Sequence, residues 1–187
     1  MINKYYLKIR SLFEWIAIAW CAKVLSKDLI TGSKIDAIPH LEKIGTNYGG
    51  WITPIDLIKK QDICYCVGVG EDISFDLGII QRFGCQVYAF DPMPRAKQHV
   101  QKHAEHVNEF HFFDIGLWDK DEVVKLYAHS NPLSTSYSII NLHKTDKYLE
   151  AQCKRLSTIM NELGHKKIDL LKIDIEGAEY KVIESII

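Results

Sequence analysis

Residues 63–91 constrain the fold more than any other stretch of the chain. "ICYCVGV" (63–69) is apolar on both alternating faces, as a central parallel strand must be. "SFDLGIIQRFG" (74–84) then sets Phe75, Ile79, Ile80 and Phe83 at helical spacing, with Gly84 as a stop signal. "CQVYAFD" (85–91) is a second strand, ending on Asp91 before Pro92. Strand, glycine turn, helix, strand and acid make one βαβ unit, which requires a parallel sheet with helices packed on its faces.

The pattern continues downstream. Residues 94–105 read as a helix bearing His99, His103 and His106; Lys97, Gln98, Gln101, Lys102 and Glu105 around them indicate a solvated face rather than a metal site. "EFHFFDIGLW" (109–118) reads as a third strand ending near Asp114, "EVVKLYAH" (122–129) as a more exposed, alternating strand, and residues 129–138 as a polar loop. "EAQCKRL" (150–156) is expected to be an edge strand, and "STIMNELG" (157–164) a helix with Ser157 as cap and Gly164 as terminator. Residues 168–187 give an apolar strand, an acidic turn and the start of a helix. The expected organisation is a helical extension over 1–44 and an α/β domain over 45–187. A doubly wound sheet adds strands beyond this point, so the sheet is expected to be truncated after its fourth core strand. The apolar end (Tyr180, Val182, Ile183, Ile186, Ile187) would otherwise be covered by a partner subunit such as a second copy.

Length and charge narrow the functional classes. The 187 residues suit about one domain with a real core. Lys+Arg 23 against Asp+Glu 24 leaves a net charge of −1, which argues against a nucleic-acid partner. Cys21, Cys64, Cys66, Cys85 and Cys153 are odd in number and scattered, as in a reducing, cytoplasmic compartment; Cys64 and Cys66 share a strand face but lack a second pair for a metal clamp, so buried thiols are expected and no metal. "SLFEWIAIAWCAKVL" (11–25) would span roughly 22 Å as a helix, short of a ~30 Å hydrocarbon core. It fits a docking helix better than a transmembrane segment or signal peptide.

The glycine turn after the first strand carries the functional argument. A dinucleotide fold rests a pyrophosphate on the helix N-terminus at such a turn. Here Glu71 and Asp72 occupy that position and repel diphosphate, and the third glycine of the nicotinamide fingerprint is missing. S-adenosylmethionine, with a sulfonium and an ammonium, suits the same acidic turn. Gly68 and Gly70 allow close backbone approach, Glu71 can hold the ammonium, and Asp91 the ribose hydroxyls. Gly68 and Asp91 are 23 residues apart, near the ~20 usual for a ribose-binding acid. The bland alternative is that Glu71 and Asp72 only stabilise a helix N-terminus. Asp114 is placed to meet an adenine amino group, with Ile115 or Leu117 as apolar cover. On the acceptor side stand Asp174 as base or orienting carboxylate, Glu176 beside it and Lys172 as electrostatic partner, a trio that could equally form a structural ion-pair knot. Ser134, Thr135 and Ser136 are further acceptor-facing candidates.

"YCVGVGEDISFDLGIIQRFGCQVYAFDPMP" with "RLSTIMNELGHKKIDLLKIDIEGAE" resembles the FkbM-type methyltransferases in the G-x-G-E-D-x-S-F-D turn, the F-D-P after the second strand and the L-K-x-D-x-E-G-A-E after the fourth. "GTNYGGWITP" (45–54) is similar to the family's lead-in. The resemblance implies a Rossmann-like class I methyltransferase fold and S-adenosylmethionine-dependent methyl transfer, often to a hydroxyl oxygen of a glycan or small-molecule acceptor. The rival expectations are an NAD-dependent oxidoreductase or sugar-modifying enzyme on the same sheet, and a truncated, non-catalytic binding fragment.

Overall fold

A computed structural model describes residues 40–130, 137–141 and 143–186. The expected docking helix at 11–25 and the serine and threonine candidates at 134–136 lie outside these residues. The described chain opens with an antiparallel hairpin of β1 (Leu41–Ile44) and β2 (Trp51–Pro54), followed by a single 3-10 turn.

The βαβ unit forms as its periodicity requires: β3 (Ile63–Val67), α1 (Ser74–Phe83), β4 (Gln86–Phe90). α1 stops where Gly84 takes a left-handed conformation, φ 66°, and returns its N–H to the Ile80 carbonyl. α2 (Pro94–Ala104) leads to β5 (Phe110–Phe113), and much later β10 (Leu170–Ile173) joins the other side of β3. The four strands lie parallel in the order β10-β3-β4-β5.

Strand alternation divides the core into two. Cys64, Cys66, Val87 and Ala89 face α1 and α2, packing on Ile79, Ile80, Ala96 and Val100. Tyr65, Val67 and Phe90 face the other way, onto Leu156 and Ile159 of α3 (Leu156–Leu163) and Val182 of α4 (Glu179–Ile186). Helices on both faces are what an all-parallel sheet needs, since neither face can meet water. Cys64 and Cys66 are buried thiols within this core. His103 of α2 and His106 just beyond its end are exposed, and His103 Nδ1 lies 2.9 Å from the His99 carbonyl.

A second sheet runs in the order β6-β9-β7-β8. β5 ends at Phe113, where the third strand was expected to stop near Asp114, and the same run then supplies an unexpected short strand, β6 (Gly116–Leu117), which crosses to the second sheet. Gly116 allows that crossing, because a Cβ there would meet Cys153 Sγ at 2.5 Å. β9 (Tyr148–Lys154) is not an edge strand: β6 pairs with one side of it and β7 (Glu122–Ala128) with the other. β8 (Tyr137–Ser138) holds the edge position. Nor does Ser157 cap α3, which begins at Leu156. Asp121 serves that end instead, accepting from the Arg155 N–H at 2.7 Å and the Thr158 hydroxyl at 2.8 Å.

Val182 of α4 and Ala178 just before it are buried, while Tyr180, Ile183 and Ile186 of α4 are exposed. Among the described residues no helix is long and apolar enough to cross a membrane.

Candidate functional site

The chain runs from β3 outward through β4 to β5, then returns to β10 on the opposite side of β3. Connections leaving neighbouring strands in opposite directions open a crevice at the strand C-terminal ends. A cleft of about 700 Å³ lies there, within the range of small-molecule sites. Gly68, Gly70, Glu71, Asp91, Lys172, Asp174 and Glu176 all line it, so seven of the eight residues singled out in the sequence come together.

The two glycines do different work. Gly68 has φ +74°, and a Cβ on it would overlap the Asp174 carbonyl oxygen, so its lack of a side chain lets the ends of β3 and β10 close up. The Asp174 N–H completes that junction by donating to the Val67 carbonyl at 3.0 Å. Gly70 has φ +57° and nothing within 4 Å of a Cβ position. Its bare backbone fronts open space in the cleft wall, the cradle a closely approaching ligand needs.

Asp91 is 5% exposed and ends β4 against this cradle. Its Oδ2 accepts from the Gly70 N–H at 2.9 Å, and its Oδ1 from the Met93 N–H at 2.8 Å. Burial raises its carboxyl above the usual range, with these N–H groups opposing the rise. Glu71 is exposed on the cleft wall. Asp72 has a different task. Its Oδ1 accepts from the Ser74 N–H at 2.9 Å and its Oδ2 from the Thr46 hydroxyl, while Ser74 Oγ accepts from the Thr46 N–H at 2.8 Å. Burial pushes the Asp72 carboxyl up, but the Ser74 and Thr46 hydrogen bonds outweigh it and leave it lowered. The residue thus fastens the β1–β2 turn to the start of α1, and Gly49 lets that turn close over the Asp72 side chain.

At the end of β10, Lys172 is largely buried, with 9% of its side chain exposed, and donates from Nζ to the Gly68 carbonyl at 2.6 Å. Its Nζ is 3.8 Å from Asp174 Oδ2, and it lies 5.5 Å from the centre of the Trp51 ring. Asp174 is half exposed to the cleft. Strand geometry ends at Ile173, so Glu176 reaches the cleft from the turn. It does so with φ 56°, and its carbonyl accepts from the Ser138 hydroxyl at 2.7 Å. Beneath the turn Asp76 is 1% exposed, its Oδ1 without a hydrogen-bond partner among the described residues, and burial pushes its carboxyl up to about 6.

Asp114 is the residue not brought to the site. It does not line the cleft, and its carboxylate meets Lys97 Nζ at 2.7 Å on the surface. Leu117 does line it, with Gly116, Leu126, Tyr137, Ile139 and Cys153 of the second sheet. Leu117 was one of the two residues expected as apolar cover, but no local sequence signal marks the others, because they are brought to the cleft by the pairing of β6, β7, β8 and β9. The hairpin turn Tyr48–Trp51 also contributes, and its glycine pair was the one available clue.

The cleft offers Glu71, Asp72, Asp91, Asp174 and Glu176 against Arg95 and Lys172, and the Lys172 ammonium is already bonded inward. Such a set of acceptors, with an open backbone cradle at Gly70, fits a ligand with a cationic end and ribose hydroxyls, as S-adenosylmethionine has.

The family model described as "Methyltransferase FkbM domain" matches residues 62–186. The chain is 31% identical over 130 residues to probable methyltransferase-like protein 24 of Homo sapiens, covering 69% of this chain and 29% of that relative. To probable methyltransferase-like protein 24 of Rattus norvegicus it is 32% identical over 129 residues, covering 68% and 29%. The chain therefore spans less than a third of the length of these curated relatives. No solved structure matches it at the same level of significance.

Proposed function

The chain belongs to the FkbM methyltransferase family, and from that premise we propose that it binds S-adenosylmethionine in the cleft on a Rossmann-like sheet and methylates a hydroxyl oxygen of a glycan or small metabolite. The observation that carries the reading is the acid-lined glycine cradle at the point where the sheet order reverses.

In this reading the Gly68–Gly70 backbone lies along the amino-acid end of the cofactor, with Glu71 beside its ammonium. Asp91, whose two oxygens each retain acceptor capacity after the Gly70 and Met93 bonds, takes the ribose hydroxyls. When bound, S-adenosylmethionine supplies an electrophilic methyl group on a positively charged sulfur. Asp174 is the base for the acceptor: it is half exposed and lines the cleft, so one of its carboxylate oxygens can receive the hydroxyl proton. Glu176, held by Ser138 at the turn, orients the acceptor next to it. Leu117, Leu126 and Ile139 exclude water from that end. Asp114 takes no part.

Calorimetric titration of the full chain with S-adenosylmethionine, S-adenosylhomocysteine and NAD tests the reading. Binding of the first two at micromolar levels, with NAD weaker by at least about tenfold, is the expected result. NAD binding more tightly than both would reverse the assignment.

A further inference from the structure

Lys172 presents an electrostatic problem that the cleft-facing acids do not solve. Its side chain is largely buried, yet among the described residues its one contact at hydrogen-bonding distance is the neutral Gly68 carbonyl at 2.6 Å. A buried cation needs a counter-charge. Three carboxylates surround it. Asp174 is half exposed, with its Oδ2 at 3.8 Å. Asp91 already has both oxygens engaged by backbone N–H groups. Asp76 is the most buried of the three and has an oxygen without a partner. It projects from α1 toward Cys66 of β3, and Lys172 sits directly opposite Cys66 in the parallel register.

Resting on the reading of the glycine turn as the sulfonium cradle, we propose that Asp76 is a positioning residue: its buried charge neutralises Lys172 through space and keeps that ammonium on the Gly68 carbonyl, away from the cationic ligand above. Protonating Asp76 removes the compensation. An unbalanced positive charge then stands at the cleft floor, where it opposes a sulfonium but not a neutral thioether. Two of the neighbouring titratable groups do not supply this switch. The Cys66 thiol is raised far by burial and stays neutral, and Asp72 is held ionised by Ser74 and Thr46 while facing the hairpin. Asp91 is raised by burial and shares the same field, so the test must separate it from Asp76. Asp76 itself, pushed up to about 6 by burial, changes charge within a range the protein can be studied in.

The test compares S-adenosylmethionine with S-adenosylhomocysteine, which differ in the charge on sulfur, by calorimetry on the full chain from about pH 7.5 to about pH 5.5. The affinity ratio should turn against the sulfonium by roughly three- to tenfold as the pH falls. In Asp76→Asn it should stay at its low-pH value throughout. A ratio independent of pH in the unmodified protein, or one that still changes in Asp76→Asn because Asp91 drives it, overturns the proposal. A second measurement needs neither ligand nor variant. In isotopically labelled protein, the Asp76 carboxyl carbon and the Val69 amide, which shares a peptide with the Gly68 carbonyl, should titrate with a common midpoint. A Val69 amide indifferent to Asp76 overturns the proposal. If neither compound binds, the cofactor reading fails on its own, and the resonance experiment still decides the coupling.

Discussion

Gly68 and Gly70 are two residues apart, have similar backbone angles and should nevertheless fail differently. At Gly68 a methyl group would drive into the Asp174 carbonyl, so Gly68→Ala is expected to cost about 3 kcal/mol or more from overlap and left-handed strain together. At Gly70 the same group meets nothing, so the stability cost is only the left-handed strain of about 1 kcal/mol. Binding of S-adenosylhomocysteine, in contrast, should weaken at least about tenfold, since the methyl occupies the cradle. Chemical denaturation paired with calorimetry on both variants checks the contrast; equal stability losses would refute it. Asp76 gives a pH signature of opposite sign to most carboxylates. Its folded-state value, about 6, lies above the 3.8 of an ordinary aspartate. The native state therefore holds its proton more tightly than the unfolded chain does. The associated stability is present in full below the unfolded value and is lost as pH rises through about 6. The difference amounts to ~3 kcal/mol. Unfolding free energies from pH 4 to pH 7 should show Asp76→Asn gaining on the unmodified protein by roughly this amount. Parallel curves would contradict it.

Among the elements, the β1–β2 hairpin depends most on a few side chains. Its turn is tied to α1 through Thr46, Asp72 and Ser74, and Gly49 to Trp51 then form one wall of the cleft. Asp72→Ala removes two hydrogen bonds to a carboxylate and should destabilise the protein by about 1–2 kcal/mol. Hydrogen exchange should report faster exchange at residues 46–52, with β3 and β4 unchanged. Uniform acceleration would mean that the hairpin is not a separate anchor. These elements also show which parts of the fold the sequence made legible. β3, α1, β4 and α2 follow from local periodicity, with Gly84 as a true stop, because strand alternation and helical spacing are short-range signals. The second sheet was unreadable as a sheet. β9 is internal because β6 and β7 flank it, and those pairings join residues 37 apart for β6 and 21 to 31 apart for β7, with no local trace. The cap of α3 comes from Asp121, also distant in sequence, which is why Ser157 misled.

For the whole molecule, a net charge of −1 conceals a local excess of acid in one cleft. That excess was legible from the G-E-D turn and the K-x-D-x-E stretch, since both follow strands whose C-terminal ends must meet where the sheet order reverses. The second-sheet side of the cleft, Leu126, Tyr137 and Ile139, was not, and it is the side assigned to the acceptor in the proposed reading. A cleft selecting its ligand by charge should respond to salt. Raising ionic strength across the range where the Debye length falls from about 30 Å to about 8 Å should weaken S-adenosylmethionine more than S-adenosylhomocysteine. Identical salt slopes for the two compounds would show that the acids do not read the sulfonium. The most direct test of the central claim is a crystal structure of the chain with S-adenosylhomocysteine. The account predicts the ligand along Gly68–Gly70, its ribose hydroxyls on Asp91 and its sulfur directed toward Asp174. The same ligand bound elsewhere, or a cradle left without it at saturating concentration, would contradict that claim.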